Sequence, residues 1–279
     1  MKTRFVWTVV VIVVSIFALH FARPYFLRYA QSRFLTTKPN GAEKPATLGI
    51  PFERLKIASG SRHLDGFLVQ VPPDSRPRVA VLIFHGAGET ISDWVKAQRF
   101  LYDHGISSIV FDYSGHGDSS RPGTIVNLQE DGGAAYQYFL LRFSHDERRC
   151  VMGHSMGNGV MLKALVGCRT APSGVVMANA FSSLRDEVAQ WGTPRMLTHL
   201  MPDVWNNVQN VSLLQGPLLV LQSDADPGTP TAMGQKIFEA ASCPKQMIVL
   251  HNFEHNALYR DPSEAWWKPA IQFIHGSNQ

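Results

Sequence analysis

Hydrophobic residues occur in two kinds of stretch along this chain of 279 residues. The first is one uninterrupted run near the N-terminus, residues 5–22, which contains no Lys, Arg, Asp or Glu. The second kind is four to six residues long, is rich in β-branched side chains, and recurs from residue 79 onward. Short apolar runs of this type are typical of strands buried on both faces of a sheet. The pattern therefore predicts one long apolar helix followed by an α/β domain.

Segments with helical periodicity separate the short apolar runs, so strands and helices are expected to alternate. Strands are predicted at 52–58, 64–71, 79–84, 107–112, 150–152, 175–178, 217–221 and 246–250, and helices at 91–104, 127–142, 159–166, 230–242 and 263–275. The first two strands are expected to pair antiparallel, and Asn127 is expected to cap the helix that follows it. The alternation implies a mostly parallel sheet with right-handed crossovers and helices on its faces.

A long segment, residues 181–216, interrupts this alternation between two predicted strands and exceeds what a crossover helix needs. We interpret it as a small helical cap over the carboxyl edge of the sheet. Its large apolar residues, among them Trp191 and Met196, either line an acyl pocket or pack the cap onto the core. Because large apolar residues usually belong to the core, packing is the favoured role for any single one.

The N-terminal apolar run is long enough to cross a bilayer, since 18 helical residues span about 27 Å. A secretory signal peptide, with export after cleavage, is the competing interpretation, but no small-x-small cleavage site follows the run. We therefore predict an uncleaved membrane anchor at 1–22, a basic juxtamembrane segment and linker at 23–51, and the α/β domain at 52–279. Basic residues flank the run on both sides, so the positive-inside rule does not choose an orientation.

Charge is unevenly distributed along the chain, whose net charge is +4. The first 44 residues hold seven Lys or Arg and one acid, whereas the rest holds 19 basic and 21 acidic residues. The α/β domain therefore carries no basic stripe of the kind that binds nucleic acid. The three cysteines, Cys150, Cys168 and Cys243, are odd in number and widely spaced, which fits neither a disulfide framework nor a metal knuckle, and buried free thiols are expected.

The segment Gly153-His154-Ser155-Met156-Gly157 joins a predicted strand directly to a predicted helix. A nucleophile at such a turn sits in strained backbone, and its neighbours must lack side chains for the chain to fold back tightly. The helix N-terminus then directs backbone N–H groups at whatever Ser155 attacks. The motif and its flanks predict that Ser155 is an activated nucleophile.

An activated serine needs a base, an acid that orients the base, and an oxyanion hole. Asp226 is the favoured acid and Asp224 the alternative, because both follow the strand that comes after the cap. His255 is the favoured base, since it lies in the loop after the last strand, whereas His251 ends that strand. The order Ser, Asp, His agrees with the order that this architecture uses.

The oxyanion hole is expected to combine two backbone N–H groups, those of Met156 and Ala87. Met156 follows the nucleophile, and Ala87 lies in the loop after the strand at 79–84. No cofactor or metal is implied by this chemistry, and the remaining histidines show no metal-ligand spacing.

Five ordered motifs resemble those of the α/β-hydrolases over residues 52–275. They are His85-Gly86-Ala87-Gly88, Asp112-Tyr113-Ser114-Gly115-His116-Gly117-Asp118-Ser119, Gly153-His154-Ser155-Met156-Gly157, Asp226 with Pro230, and His255-Asn256. Within that superfamily the chain is similar to the monoacylglycerol lipase, lysophospholipase and serine aminopeptidase group. It looks closest to the membrane-anchored branch of lysophospholipid lipases and protein depalmitoylases. That branch usually has Asn where this chain has Ala87, which resembles the monoacylglycerol lipase pattern instead.

The resemblance implies a membrane-tethered serine hydrolase that cleaves ester or thioester bonds of small-molecule, lipid or acylated substrates. Peptidase activity is the first alternative, and a non-catalytic binding protein on the same fold is the second.

Overall fold

A computed structural model describes residues 2–35, 37–75, 78–143 and 147–276, and a sheet of eight strands forms its centre. The strands are β1 (Glu53–Ser59), β2 (Arg62–Val69), β3 (Val79–Phe84), β4 (Ser107–Phe111), β5 (Arg148–His154), β6 (Gly174–Ala178), β7 (Leu218–Ser223) and β8 (Lys245–Leu250). Their order is β1-β2-β4-β3-β5-β6-β7-β8. β2 runs antiparallel to β1 and β4, and all other neighbours are parallel, which confirms the predicted mostly parallel sheet.

Helices cover both faces of the sheet, and ten α-helices occur in the described ranges. They are α1 (Lys2–Phe34), α2 (Val95–Asp103), α3 (Ile125–Arg142), α4 (Met156–Val166), α5 (Leu184–Gln190), α6 (Arg195–Thr198), α7 (Asn207–Val211), α8 (Thr231–Ala240), α9 (Ala257–Arg260) and α10 (Glu264–His275). Two short 3-10 helices occur at Pro45–Leu48 and Ile91–Trp94.

The start of α3 corrects one prediction, because Thr124 and not Asn127 caps this helix. The Thr124 hydroxyl accepts the backbone N–H of Asn127 at 3.1 Å, which is the bond that an N-cap side chain makes to the third residue of a helix. Asn127 therefore lies within the first turn, and its side-chain amide donates instead to the carbonyl of Pro122 at 2.7 Å.

The sheet separates two apolar cores, and β3 contributes to both. Its six residues are all buried, and they alternate between the core that contains Phe84 and the core that contains Trp94. The first core packs under α3, α4 and the cap helices, and the second under α2 and α10. Burial on both faces explains why β3 appears in the sequence as a continuous apolar run. It also holds the carboxyl end of β3 rigidly beside that of β5, with Phe84 opposite Gly153.

The N-terminal helix extends farther than the apolar run that predicted it. α1 ends at Phe34, and its segment Val6–Tyr25 has 20 residues, a mean hydropathy of 2.1 and no burial against the rest of the chain. A helix of that length spans about 30 Å, the thickness of a hydrocarbon core. By length and composition alone it qualifies as a membrane span, and a signal sequence at an N-terminus meets the same criterion.

The segment that follows α1 contacts the α/β domain directly. Lys38 places its ammonium 2.8 Å from Asp93, and the carbonyl of Lys38 accepts the N–H of Gly117 at 3.1 Å. The carbonyl of Gly41 accepts the hydroxyl of Ser92 at 3.1 Å. The predicted linker is therefore attached to the domain beside the 3-10 helix that precedes α2.

The predicted cap at 181–216 contains α5, α6 and α7. Parts of all three predicted divisions lie outside the described residues: Met1 of the anchor, Thr36 of the linker, and residues 76–77, 144–146 and 277–279 of the domain. The three cysteines are free, but only Cys150 is buried; Cys168 and Cys243 are half-buried.

Candidate active site

The turn between β5 and α4 holds Ser155 in an unusual backbone conformation. Its φ is 50° and its ψ is −120°, a region that residues with side chains rarely adopt. Gly157 makes the turn possible, because a Cβ there would lie 2.0 Å from the carbonyl oxygen of Phe84. The N–H of Ser155 donates to the carbonyl of Ala178 at 3.1 Å, which ties the turn to β6. The side chain of Ser155 is thus carried on a strained turn at the carboxyl edge of the sheet.

Asp226 and His255 are brought together by the loops after β7 and β8. The Nδ1 of His255 is hydrogen-bonded to Oδ2 of Asp226, which also accepts the hydroxyl of Thr229. The other carboxylate oxygen accepts the backbone N–H of Gly228 at 2.9 Å and that of Thr229 at 3.2 Å. Asp226 is 3% exposed, so four donors compensate for the burial of its charge.

The pKa values of this pair move in the directions expected of an ion pair. Burial would raise the pKa of Asp226, but the hydrogen bond and charge of His255 lower it to about 2. Burial would lower the pKa of His255, but the hydrogen bond and charge of Asp226 outweigh that effect and raise it. At neutral pH Asp226 is therefore a carboxylate, and it fixes the Nδ1–H tautomer of His255.

The alternative residues form a separate pair at the surface. The Nδ1 of His251 lies 2.7 Å from Oδ2 of Asp224, with side-chain exposures of 75% and 40%. Asp224 also accepts the N–H of Asn252 at 2.9 Å, so it closes the turn after β8. The two candidate acids thus each have their own histidine.

Two contacts attach the Asp226–His255 pair to the nucleophile turn. The carbonyl of His255 lies 3.0 Å from Nε2 of His154 and accepts the side-chain amide of Asn179 at 2.9 Å. The imidazole rings of His154 and His255 have centroids 4.8 Å apart. The candidate base therefore lies beside the residue that immediately precedes Ser155.

The two predicted oxyanion donors lie on either side of the same turn. Met156 is the first residue of α4, and Ala87 is in the half-buried loop that follows β3. Because β3 and β5 are neighbours in register, that loop emerges next to Ser155. A helix N-terminus adds a partial positive charge at this position.

The sequence analysis assigned no role to several polar residues at the carboxyl edge of the sheet. Glu89 and His154 form a buried pair at 2.9 Å, and Asn179 holds a left-handed backbone with φ of 44°. Glu187, on cap helix α5, is 6% exposed, and one of its carboxylate oxygens lacks a hydrogen-bond partner among the described residues. Burial raises the pKa of Glu187 to about 8. Only the position of His154 inside the serine motif marked any of these residues in the sequence.

Within the ranges that the structure describes, no group of three or more His, Cys, Asp or Glu side chains is arranged to hold a metal ion.

The chain is similar to several known proteins. A family model described as "Serine aminopeptidase, S33" matches residues 75–207, which include β3, the Ser155 turn and most of the cap. An uncharacterized protein of Mycobacterium tuberculosis is 24% identical over 249 residues, which cover 88% of this chain and 87% of that protein. The lysophosphatidylserine lipase ABHD12 of Xenopus tropicalis is 25% identical over 210 residues, 65% of this chain.

The aligned part spans 54% of that lipase, so about half of its length has a counterpart here. Among solved structures, the Pyrococcus furiosus esterase Pf2001 has a TM-score of 0.68 at 17% identity, covering 86% of this chain and 97% of the esterase. At that identity the likeness establishes the fold alone.

The eight-stranded sheet, the order of the loops at its carboxyl edge and these similarities define the class: the chain has the α/β-hydrolase fold. The similarities support an esterase- or lysophospholipase-type hydrolase, in agreement with the resemblance inferred from the sequence motifs.

Proposed function

We propose that this protein is a membrane-tethered serine hydrolase that cleaves carboxylic ester or thioester bonds of lipid or acylated substrates. The observation that carries the proposal is the buried Asp226–His255 pair, whose backbone is hydrogen-bonded to the residue next to Ser155. A strained serine, a histidine with a fixed tautomer and a buried carboxylate are what acyl transfer requires.

The proposed reaction has two halves. Ser155 Oγ attacks the carbonyl carbon while Nε2 of His255 takes the hydroxyl proton, and the N–H groups of Met156 and Ala87 bind the resulting oxyanion. Collapse of this intermediate breaks the bond to the alcohol or thiol, which leaves with the proton from His255. A water molecule then attacks the acyl-enzyme, with His255 again as base, and releases the carboxylic acid and Ser155.

The substrate class rests on two supports. One relative is named a lysophosphatidylserine lipase, which favours a lipid ester. The other is the apolar segment Val6–Tyr25, which would hold the site near a bilayer where acylated substrates reside. Retention of that segment as an anchor, rather than its removal as a signal sequence, is part of the proposal.

A fluorophosphonate probe tests the proposal, since it labels only a serine that its own base has activated. We expect covalent labelling of the full-length protein and its loss in Ser155→Ala. The matched control is Ser182→Ala. Ser182 is a buried serine at the start of the cap, its hydroxyl donates a hydrogen bond to Asp186, and it takes no proposed part in catalysis. Unlabelled wild-type protein, or equal labelling of Ser155→Ala, would instead favour a non-catalytic binding protein.

The description of the family model favours peptidase activity as the second candidate. Hydrolysis of 4-nitrophenyl acyl esters and of aminoacyl 4-nitroanilides by one preparation separates the two. We expect kcat/KM to be at least about 100-fold greater for the esters than for the anilides. A ratio of that size exceeds the roughly tenfold change in kcat/KM that a single substrate contact produces.

A further inference from the structure

A second acid–histidine pair, Glu89 and His154, lies buried behind the nucleophile turn. Glu89 is 4% exposed and His154 is completely buried. One carboxylate oxygen of Glu89 accepts the backbone N–H of Gly86 at 2.8 Å and the indole N–H of Trp94 at 2.9 Å. The other oxygen lies 2.9 Å from Nδ1 of His154. Neither residue belongs to the proposed triad.

The protonation of this pair follows from its partners. Burial would raise the pKa of Glu89, but the charge and hydrogen bond of His154 lower it to about 2, so Glu89 is a carboxylate. A carboxylate only accepts, and therefore Nδ1 of His154 must donate to it. The second ring nitrogen, Nε2, faces the carbonyl of His255 at 3.0 Å, which also only accepts. Both ring nitrogens of His154 therefore face oxygen atoms, one of Glu89 at 2.9 Å and one of the His255 main chain at 3.0 Å.

This buried pair contacts all three segments that build the candidate site. Through Glu89 it holds the N–H of Gly86, the neighbour of the oxyanion residue Ala87. His154 itself is the residue before Ser155, and its Nε2 holds the carbonyl of His255. The fit leaves no spare room, because a Cβ on Gly86 would lie 2.4 Å from Oε1 of Glu89 and 3.1 Å from Nδ1 of His154.

We propose that the hydrogen-bonded Glu89–His154 pair is a positioning device that fixes the oxyanion loop and the base loop relative to Ser155. The proposal rests on the proposed hydrolase function. Without the pair, the carbonyl of His255 loses its contact with His154 and keeps the amide of Asn179, and the N–H of Gly86 loses its buried acceptor.

Steady-state kinetics on a 4-nitrophenyl acyl ester test the positioning role in the full-length protein. Glu89→Gln keeps the shape of the side chain but removes the charge, and we expect kcat to fall about 10- to 100-fold while KM changes less than twofold, because misplacement acts on the transition state. The control is Glu264→Gln, which breaks an exposed pair with His104 at 2.7 Å and is expected to change kcat less than twofold. Wild-type kcat in Glu89→Gln would overturn the proposal.

A measurement on the unmodified protein covers the case in which Glu89→Gln does not fold, since a broken buried hydrogen-bond network is costly. By amide hydrogen exchange we expect the N–H of Gly86, which donates to buried Glu89, to exchange as slowly as the core amides of β3. Fast exchange of the Gly86 N–H would contradict the anchoring of the oxyanion loop.

The two proposals fail in different ways. If the hydrolase function is wrong, the wild-type protein neither turns over esters nor reacts with the fluorophosphonate probe. If only the positioning role is wrong, the wild-type protein is labelled and active, and Glu89→Gln has the same kcat as the wild type.

Discussion

Two aspartate–histidine pairs lie at the same edge of the sheet and illustrate what makes such a pair suitable for catalysis. In both pairs the acid lies in the loop after β7, and the two acids are two residues apart. His251 directly follows β8, and His255 lies farther along the same loop. Asp224 and His251 are exposed, with side-chain exposures of 40% and 75%, whereas those of Asp226 and His255 are 1% and 29%.

The difference lies in the surroundings rather than in the pair. Solvent screens the Asp224–His251 interaction, and exposed ion pairs contribute little free energy. Asp226 receives further hydrogen bonds from Thr229 and Gly228, and the carbonyl of His255 receives two more from His154 and Asn179. The buried pair is therefore held in one geometry, beside His154, the residue that precedes Ser155.

The largest effect that tests this comparison is expected from the two acids. Asp226→Asn should lower kcat/KM for an acyl ester by about 10³- to 10⁴-fold, because the histidine loses its tautomer and its charge partner. Asp224→Asn should change it less than about twofold, as exposed pairs do. Parallel kinetics on the two variants decide which acid serves the site, and a larger loss in Asp224→Asn would reverse the assignment.

A smaller loss is expected when an anchor of the base loop is removed. Asn179→Ala deletes the amide that holds the carbonyl of His255 and the oxygen that accepts the N–H of Ser223 at 3.0 Å, so we expect about a tenfold decrease in kcat. The matched control is Asn252→Ala, another residue with a left-handed backbone that lies beside the exposed pair. Equal losses in the two variants would mean that backbone strain, and not the anchor, is responsible.

Glu187 provides a test that depends on stability. Its pKa is about 8 in the folded protein, above the ordinary value that it has in the unfolded chain. The protonated Glu187 therefore contributes fully to stability below the unfolded-state pKa, and this contribution is lost as pH rises through about 8. Glu187→Gln does not titrate, and relative to wild type it should therefore gain at least about 1.4 kcal/mol of unfolding free energy between pH 5 and pH 9. Urea denaturation at both pH values measures the gain, and Glu239→Gln, in exposed contact with Gln235, is the control. A constant difference between variant and wild type would contradict the raised pKa.

The smallest effect concerns the pH dependence of the reaction. Because only neutral His255 accepts a proton, kcat/KM should rise with pH through a midpoint above the ordinary histidine value. Asp226→Asn removes the group that raises this pKa, so the midpoint of its residual activity should move to lower pH. Asp224→Asn should leave the midpoint where it is, and a shift in that variant would show that His251 controls the rate.

The sequence predicted the sheet well because the strands are buried on both faces and appear as continuous apolar runs. The bounds of β3 agree with the prediction to the residue. Helix ends were less certain, since Thr124 and Asn127 are both good caps and only the hydrogen bond distinguishes them. The anchor was predicted from hydrophobicity, which ends at Ala22, whereas helical structure continues through polar residues to Phe34.

The favoured acid and base were predicted from their order along the chain, and the structure joins them by a hydrogen bond. The Glu89–His154 pair escaped the sequence analysis because its members are 65 residues apart and no motif links them. An acid three residues after a glycine is common near a helix start, and only tertiary structure shows which histidine it meets. Glu187 was missed for the same reason, since a glutamate on a short helix is usually exposed.

The central claim is that Ser155 carries the acyl group between the two halves of the reaction. Rapid mixing of the full-length protein with a 4-nitrophenyl acyl ester, followed by acid quench and peptide mass mapping, tests it directly. We expect a burst of nitrophenol equal to the enzyme concentration and an added acyl mass on the peptide that contains Ser155. Turnover with no burst and no acyl group on Ser155 at any quench time would contradict it.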